Sequence, residues 1–309
     1  EDSMLFHGAG WVTYLWEEVP FNLIETTGTW LTESDSTPVF LQYSGPVLYT
    51  STPGDFFEYQ FEGSSAVVQL QQSNRGGQIV FWIDQALHKP SGYSLQSVTI
   101  DTTHDYFTDA SHTLVGSDAI FFESTTVAGG LKDDWVYYVV PANSQAVVVD
   151  GPNYGFDLVS HGFTAGEPVE FTTTGTMPSG LSEDTTYFVS SSALSSDFFR
   201  VSATSGGGAV IFLSEGTGTL SVVDTLTENT FKVSAIRTST NAVDLSSSGS
   251  GVQWAEAYHE YYNTAQLAPS VELDGGRYGK HRIKVLLSNI NASASAPSTG
   301  LRPLGLVSL

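Results

Sequence analysis

Residues 197–218 read DFFRVSATSGGGAVIFLSEGTG, and residues 229–251 read NTFKVSAIRTSTNAVDLSSSGSG. Each stretch opens on an aromatic-basic-Val-Ser-Ala string, Phe199 to Ala203 in one and Phe231 to Ala235 in the other. A polar turn follows, then an Ala-Val string at Ala209 or Ala242, then a Gly-x-Gly exit ending at Gly218 or Gly251. Apolar runs on both sides of a Gly-, Ser- or Asn-rich break read as paired strands. A second pair lies upstream. Residues 112–139 read HTLVGSDAIFFESTTVAGGLKDDWVYYV, and residues 161–189 read HGFTAGEPVEFTTTGTMPSGLSEDTTYFV. Both carry a His, a Gly turn, a strand ending in Phe, a Thr-rich loop, Gly-Leu, an acidic turn and an aromatic strand. Self-similarity of this kind marks a repeated structural unit.

The order of the halves carries the architecture. The front half at 112–140 is not followed by a back half; a complete unit at about 153–223 comes next, and the orphan back half stands at 229–251. The simplest reading is one β module nested in a loop of another, with an outer copy at 105–152 and 224–252 and an inner copy at 153–223. Tolerated insertions of this sort need the two ends of the inserted unit close together. A tandem array with one degraded half is the alternative.

The flanks read as one split β-sandwich, residues 30–104 with 253–309, preceded by an N-terminal arm at 1–29. Phe56 to Glu62, Ala66 to Gln71 and Gln78 to Asp84 alternate, and turn-type stretches at 62–65 and 73–77 separate them. Near the other end Ile283, Val285 and Leu287 alternate with polar residues after a turn at Gly279. A strand pair can span a large insertion because loop-closure entropy grows slowly with length. The best helical candidate, Trp254 to Gln266, suits a strand or irregular segment equally well. The expected fold class is therefore all-β: a split jelly-roll sandwich with one or two inserted small β modules.

Bulk composition narrows the chemistry. The 309 residues include 33 acidic and 11 basic side chains, a formal charge of −22. That surface repels phosphate backbones and anionic membranes, so nucleic-acid partners are not expected. Only 14% of residues are charged, which leaves Ser, Thr, Gly, Asn and Gln to build the polar surface, as suits strand faces and turns. There is no cysteine, which excludes disulfides, thiolate metal sites and cysteine nucleophiles and favours a bacterial or viral origin. No apolar run of about 18 residues occurs, so no membrane insertion is expected. The chain opens at Glu1 with no basic or signal-type segment, so its natural start is expected to have been removed or to lie upstream.

Two resemblances follow from particular strings. Residues 49–63, YTSTPGDFFEYQFEG, with Phe81-Trp82-Ile83-Asp84-Gln85 and the late Gly279-Lys280-His281-Arg282-Ile283, resemble a galactose-binding-like jelly-roll module of the kind found in adhesins and carbohydrate-active proteins. That family has a Gly where Gln85 stands, so a longer turn drawing in Leu87 to Gly92 is expected. The nested repeat, through His161 to Val169, Gly180-Leu181, Thr186 to Val189 and Phe199 to Ser202, resembles small β modules of tailed-bacteriophage virion proteins. In the first copy Thr113 replaces Gly162 and, on this alignment, Asp118 replaces Pro168. The resemblances imply a virion structural protein on the particle exterior, of head-decoration or fibre type. Its partners would be capsid or tail proteins and further copies of itself. A carbohydrate-binding module or adhesin with a host glycan as partner is the alternative.

Candidate chemistry is sparse. His7-Gly8-Ala9-Gly10 has an oxyanion-loop look but no G-x-S-x-G elbow accompanies it. Asp133-Asp134 and Glu183-Asp184 recur at matching positions, read as turn residues with calcium ligation as the lesser option. His112 and His161 also match, read as structural because no zinc-type spacing surrounds them. Trp82, Trp135, Tyr137 and Tyr138 suit either core packing or stacking on sugar rings, and Tyr258, Tyr261 and Tyr262 suit a protein interface. The apolar ends, Gly10 to Trp16 and Leu301 to Leu309, are expected to dock on this chain's own sandwich or on a neighbour. No catalytic residue, metal site or cofactor is expected, and the chain is read as not an enzyme.

Overall fold

The structure is a computed structural model that describes residues 4–7, 10–13, 25–28, 31–34, 46–50, 52–70, 77–260, 270–290 and 303–308. The chain is all-β, and no helix occurs among the described residues. It divides into two compact units, one of residues 1–93 with 256–309 and one of residues 94–255.

The first unit opens with β1 (Met4–His7), β2 (Gly10–Thr13), β3 (Glu25–Thr27), β4 (Leu31–Ser34), β5 (Pro46–Tyr49), β6 (Phe56–Leu70), β7 (Gly77–Ile83) and β8 (Ala86–His88). In the second unit lie β9 (Gln96–Ser97), β10 (Thr99–Asp101), β11 (Tyr106–Thr108), β12 (Ala119–Glu123), β13 (Val136–Val139), β14 (Asn143–Asp150), β15 (Gly155–Asp157) and β16 (Pro168–Thr173). It continues through β17 (Tyr187–Ser190), β18 (Phe198–Ser202), β19 (Leu220–Asp224), β20 (Thr230–Phe231), β21 (Val233–Ser234) and β22 (Gln253–Glu256). The chain then returns to the first unit with β23 (His259–Glu260), β24 (Ser270–Ile290) and β25 (Pro303–Ser308).

In the first unit β24 pairs with both β6 and β7, so segments before and after the second unit share one sheet, ordered β23-β7-β24-β6-β25. Its core is the inward face of these strands: Phe57, Phe61, Val68, Ile79, Phe81, Ile283, Val285 and Leu287. Ile283, Val285 and Leu287 pack in this core, while Lys284 and the also buried Leu286 lie on the opposite face, as a period of two requires. The C-terminal strand β25 pairs along β6 of its own chain. Of the N-terminal apolar stretch, Gly10–Thr13 pairs with β1, and the remainder lies outside the described residues. The turn after β7 is not long: Ile83 pairs directly with Ala86, and Asp84 and Gln85 both take left-handed backbone at φ 50° and 72°. Two consecutive positive φ values define the two-residue hairpin turn that matches strand twist, so the expected extension through Leu87 to Gly92 gives way to β8.

The second unit is two copies of one barrel. The inner copy closes in the order β14-β15-β18-β17-β16-β19, with β19 returning to β14. The outer strands run β10-β11-β20 and β21-β13-β12-β22-β9. Only Lys232 separates β20 from β21 and only Val98 separates β9 from β10, so the outer strands trace the same circuit. Gln96–Ser97, Thr99–Asp101 and Gln253–Glu256, expected in the split sandwich, therefore belong to this circuit.

Hydrogen bonds repeat copy for copy. The Tyr137 hydroxyl accepts from the Lys132 amide at 2.8 Å, and the Tyr187 hydroxyl from the Ser182 amide at 2.9 Å. The amide of Val139 reaches Asp118 O at 2.9 Å, and that of Val189 reaches Glu167 O at 2.9 Å. This bond aligns Asp118 with Glu167 rather than with Pro168, one place from the alignment the strings suggest. The cores repeat as well: Phe107 stacks on Phe122 and Phe231 at 4.8 and 5.3 Å, and Phe156 meets Phe171 and Phe199 at 4.7 and 5.2 Å.

Because both tyrosines cap the same turn from the same strand, Tyr137→Phe and Tyr187→Phe should each destabilise the second unit by about 1 kcal/mol, the net worth of one such bond. Denaturant titration of the two variants checks this; a cost at one position and none at the other contradicts the equivalence.

Candidate functional site

The repeated acidic turns are structural. Asp134 and Asp184 hold left-handed backbone at φ 59° and 52°, a conformation Asp tolerates better than most residues. The Asp133 carboxylate accepts from the Ser124 hydroxyl at 3.0 Å. Among the described residues no group of three or more His, Asp and Glu side chains converges as a metal site.

The matched histidines sit edge-on to the matched core phenylalanines, His112 on Phe231 at 5.3 Å and His161 on Phe199 at 5.2 Å. Nδ1 of His161 accepts the Phe163 amide at 2.9 Å, which fixes its tautomer with the proton on Nε2. Burial pushes the His112 pKa down, although neighbouring Asp109 and the backbone of Thr227 and Thr230 pull the other way.

The aromatic candidates part company. Tyr137 is buried with its hydroxyl committed to the turn, and burial pushes its pKa up. Trp82 is half-buried with the Lys284 ammonium 5.5 Å from its ring. Tyr138 is half-buried, and burial raises its pKa to about 12. Trp135 remains 43% exposed with the Lys132 ammonium 4.8 Å from its ring. Tyr258 is half-buried, while Tyr261 and Tyr262 lie outside the described residues.

In the first unit the two strings that carry the jelly-roll resemblance meet. His281 Nδ1 is 2.6 Å from Asp84 Oδ2, and its Nε2 is 2.7 Å from Arg277 O. The Asp84 amide donates to Arg282 O at 2.8 Å and the Arg282 amide donates to Asp84 Oδ1 at 2.9 Å. The Asp84 bond and the Arg277 carbonyl raise the His281 pKa. Against the pull of burial, the His281 and Arg282 bonds hold Asp84 below the ordinary carboxylate range. A Cβ at Gly275 would lie 2.7 Å from the His281 ring, so only glycine permits this approach. Nearby β8 and β23 bring His88 and His259 into a parallel stack at 5.4 Å. Burial lowers both, His259 to about 4.

A dense polar cluster lies where the inner barrel joins the outer one, and the sequence reading missed it. Thr225, at φ 66°, follows β19 directly. Its hydroxyl donates to Pro141 O at 2.7 Å and accepts the Asn143 amide at 3.2 Å, and its own amide donates to the Tyr106 hydroxyl at 3.2 Å. Through its hydroxyl and its amide, this one residue thus ties both connections of the inner barrel to an outer strand. Around it Lys232 reaches Glu167 at 3.7 Å and stands 4.2 Å above the Tyr106 ring. Asp224 is only 9% exposed and its Oδ1 has no hydrogen-bond partner. Burial raises its pKa to about 6, and Glu167 adds to the effect while Asn143 and Lys232 oppose it. Burial also raises Glu170, whose Oε1 accepts from the Glu228 amide at 2.8 Å and the Thr186 hydroxyl at 3.0 Å.

Comparison of the chain with protein-family models, with curated proteins and with solved structures finds no match. Among the described residues no helix is long and apolar enough to cross a membrane.

The Asp84–His281 pair sets a pH window for the first unit. Asp84 is held low, so its contribution is present above the ordinary carboxylate range and lost as pH falls through its depressed value. His281 is held high, so its contribution is present below the ordinary imidazole range and lost as pH rises through its elevated value. Asp84→Asn should return the His281 titration, followed by NMR of the ring protons, toward the ordinary imidazole value. An unchanged midpoint contradicts the pairing.

Proposed function

We propose that this chain is a non-enzymatic structural protein of a virus particle, a head-decoration or fibre-type component on the exterior of a tailed bacteriophage. The observation that carries the reading is the duplicated barrel of the second unit. One copy sits whole within a loop of the other, with the core triad and turn bonds kept in both. Repeating a closed barrel adds surface without exposing new strand edges, a property suited to a protein displayed in many copies. The charge of −22 disfavours unspecific association between crowded copies. On this reading the chain docks on capsid or tail neighbours, and on further copies of itself, through apolar contact within a polar rim. Its resemblance to virion β modules at His161 to Val169 points the same way.

Exposed Trp135 favours a second reading in which the chain also binds a host-surface glycan. An indole face offered to solvent beside a cation suits the C–H face and hydroxyls of a sugar ring. The meeting of Asp84 and His281 supports the galactose-binding-like reading of the first unit.

Two measurements test these readings. Mass spectrometry of gradient-purified particles should find the chain at a fixed copy number per particle; intact particles that lack it overturn the structural assignment. On a glycan array the native chain should give a specific signal that Trp135→Ala reduces about tenfold, the order expected from one stacking residue. A native chain with no signal rejects the glycan reading and leaves the first standing.

A further inference from the structure

Besides the bonds from the Glu228 amide to Glu170 and from Asn229 to Thr186, three bridges join the barrels of the second unit. Lys232, between outer strands β20 and β21, pairs with Glu167 of the inner barrel at 3.7 Å. Thr225 clamps both connections through Pro141 and Asn143. The third bridge is His104, in the outer turn between β10 and β11. Its Nδ1 lies 2.7 Å from Asp101 Oδ2 and its Nε2 lies 3.1 Å from Ala165 O of the inner barrel. Both ring nitrogens face oxygen acceptors, and only the doubly protonated ring can donate to both.

The charge around this seam is unbalanced. Asp101, Glu167 and Asp224 all act on the Tyr106 hydroxyl, and Glu170 of the inner barrel accepts the amide of Glu228 from the outer copy. Lys232 pairs with Glu167 across the seam, and Asp105 lies next to His104 with its carboxylate bonded to the Leu245 amide. Within this acidic setting the Asp224 Oδ1 is buried without a partner. An ionised carboxylate in that position is costly, whereas a protonated one places no charge there.

We propose that the seam between the two barrels is a proton-operated lock, closed when the buried Asp224 carboxyl carries a proton and loosened when it has lost it. Asp224 loses its stabilising proton as pH rises through about 6, above its unfolded value, so its share is present in acid and lost toward neutrality. Burial of His112 in the outer barrel works oppositely, since a histidine held low destabilises the fold on acidification. A melting temperature for the whole chain therefore mixes opposing effects, and the lock has to be read locally.

Amide exchange of the full chain reads it directly. The amides of Asn143 and Thr225 make seam bonds, and those of Val139 and Val189 make the matching bonds inside each barrel. After correction for intrinsic exchange, seam protection should fall about tenfold or more between pH 5 and pH 8 while barrel protection holds. Asp224→Asn should recover most of that loss at pH 8. Equal seam protection at both pH values overturns the proposal, as does a full loss retained in Asp224→Asn. Carbon-detected titration of the native Asp224 carboxyl is independent of any variant. A midpoint near 6 supports the lock, and one in the ordinary carboxylate range overturns it.

Discussion

Asn143 and Asp224 face each other across the antiparallel ladder of β14 and β19. That one pairing brings the first and last strands of the inner barrel side by side. A closed barrel whose terminal strands are neighbours presents its two ends at one place, and can occupy a loop of any host whose flanking strands are equally close. The host here is the same barrel. Outer strand β13 pairs with β21 in the way β17 pairs with β18, and the inner copy fills the connection that the inner barrel itself spans with residues 191–197. The outer ladder then forms across an insertion whose length matters little, because closure entropy rises only with the logarithm of loop length. Fixing the two ends of that insertion against each other removes most of what remains.

The side chains at the seam follow from this constraint. Two backbone connections crossing side by side leave polar groups that must be satisfied, and Thr225 answers for both with one hydroxyl. The same crowding buries Asp224 at the end of β19 beside Glu167 and Lys232. Each copy keeps its own apolar core, and polar bridges cross the seam between them. The barrels are secured by Phe107, Phe122 and Phe231 in one and Phe156, Phe171 and Phe199 in the other.

The repeat was legible because a barrel core leaves a linear trace. Phe199-Arg200-Val201-Ser202 and Phe231-Lys232-Val233-Ser234 alternate core and surface in the same register, and a glycine at a left-handed turn is hard to replace, so Gly218 and Gly251 recur. The short strands at Gln96–Ser97 and Thr99–Asp101 were assigned to the flanking sandwich because two or three residues hold too little alternation to declare a partner. The Asp84-Gln85 turn was expected to be longer because Gln rarely adopts the φ of 72° seen here. At the seam, Asp101, His104 and Tyr106 come from one hairpin and Glu167, Thr225 and Lys232 from three other places in the chain, and each alone looks like an ordinary surface residue. Their meeting is a product of the nesting and has no local signature. The virion and glycan readings rest on resemblance and surface chemistry, since strand patterns specify a scaffold and not its partner.

The pairing of β13 with β21 across the inserted barrel is what the nested architecture requires. Backbone NOE measurements on the full chain at Tyr138, Val139, Val233 and Ser234 test it most directly. The account predicts cross-strand contacts between Val139 and Val233 and between Tyr138 and Ser234. Contacts that instead place Val233 beside a strand of the inner barrel, as a tandem arrangement demands, would contradict it.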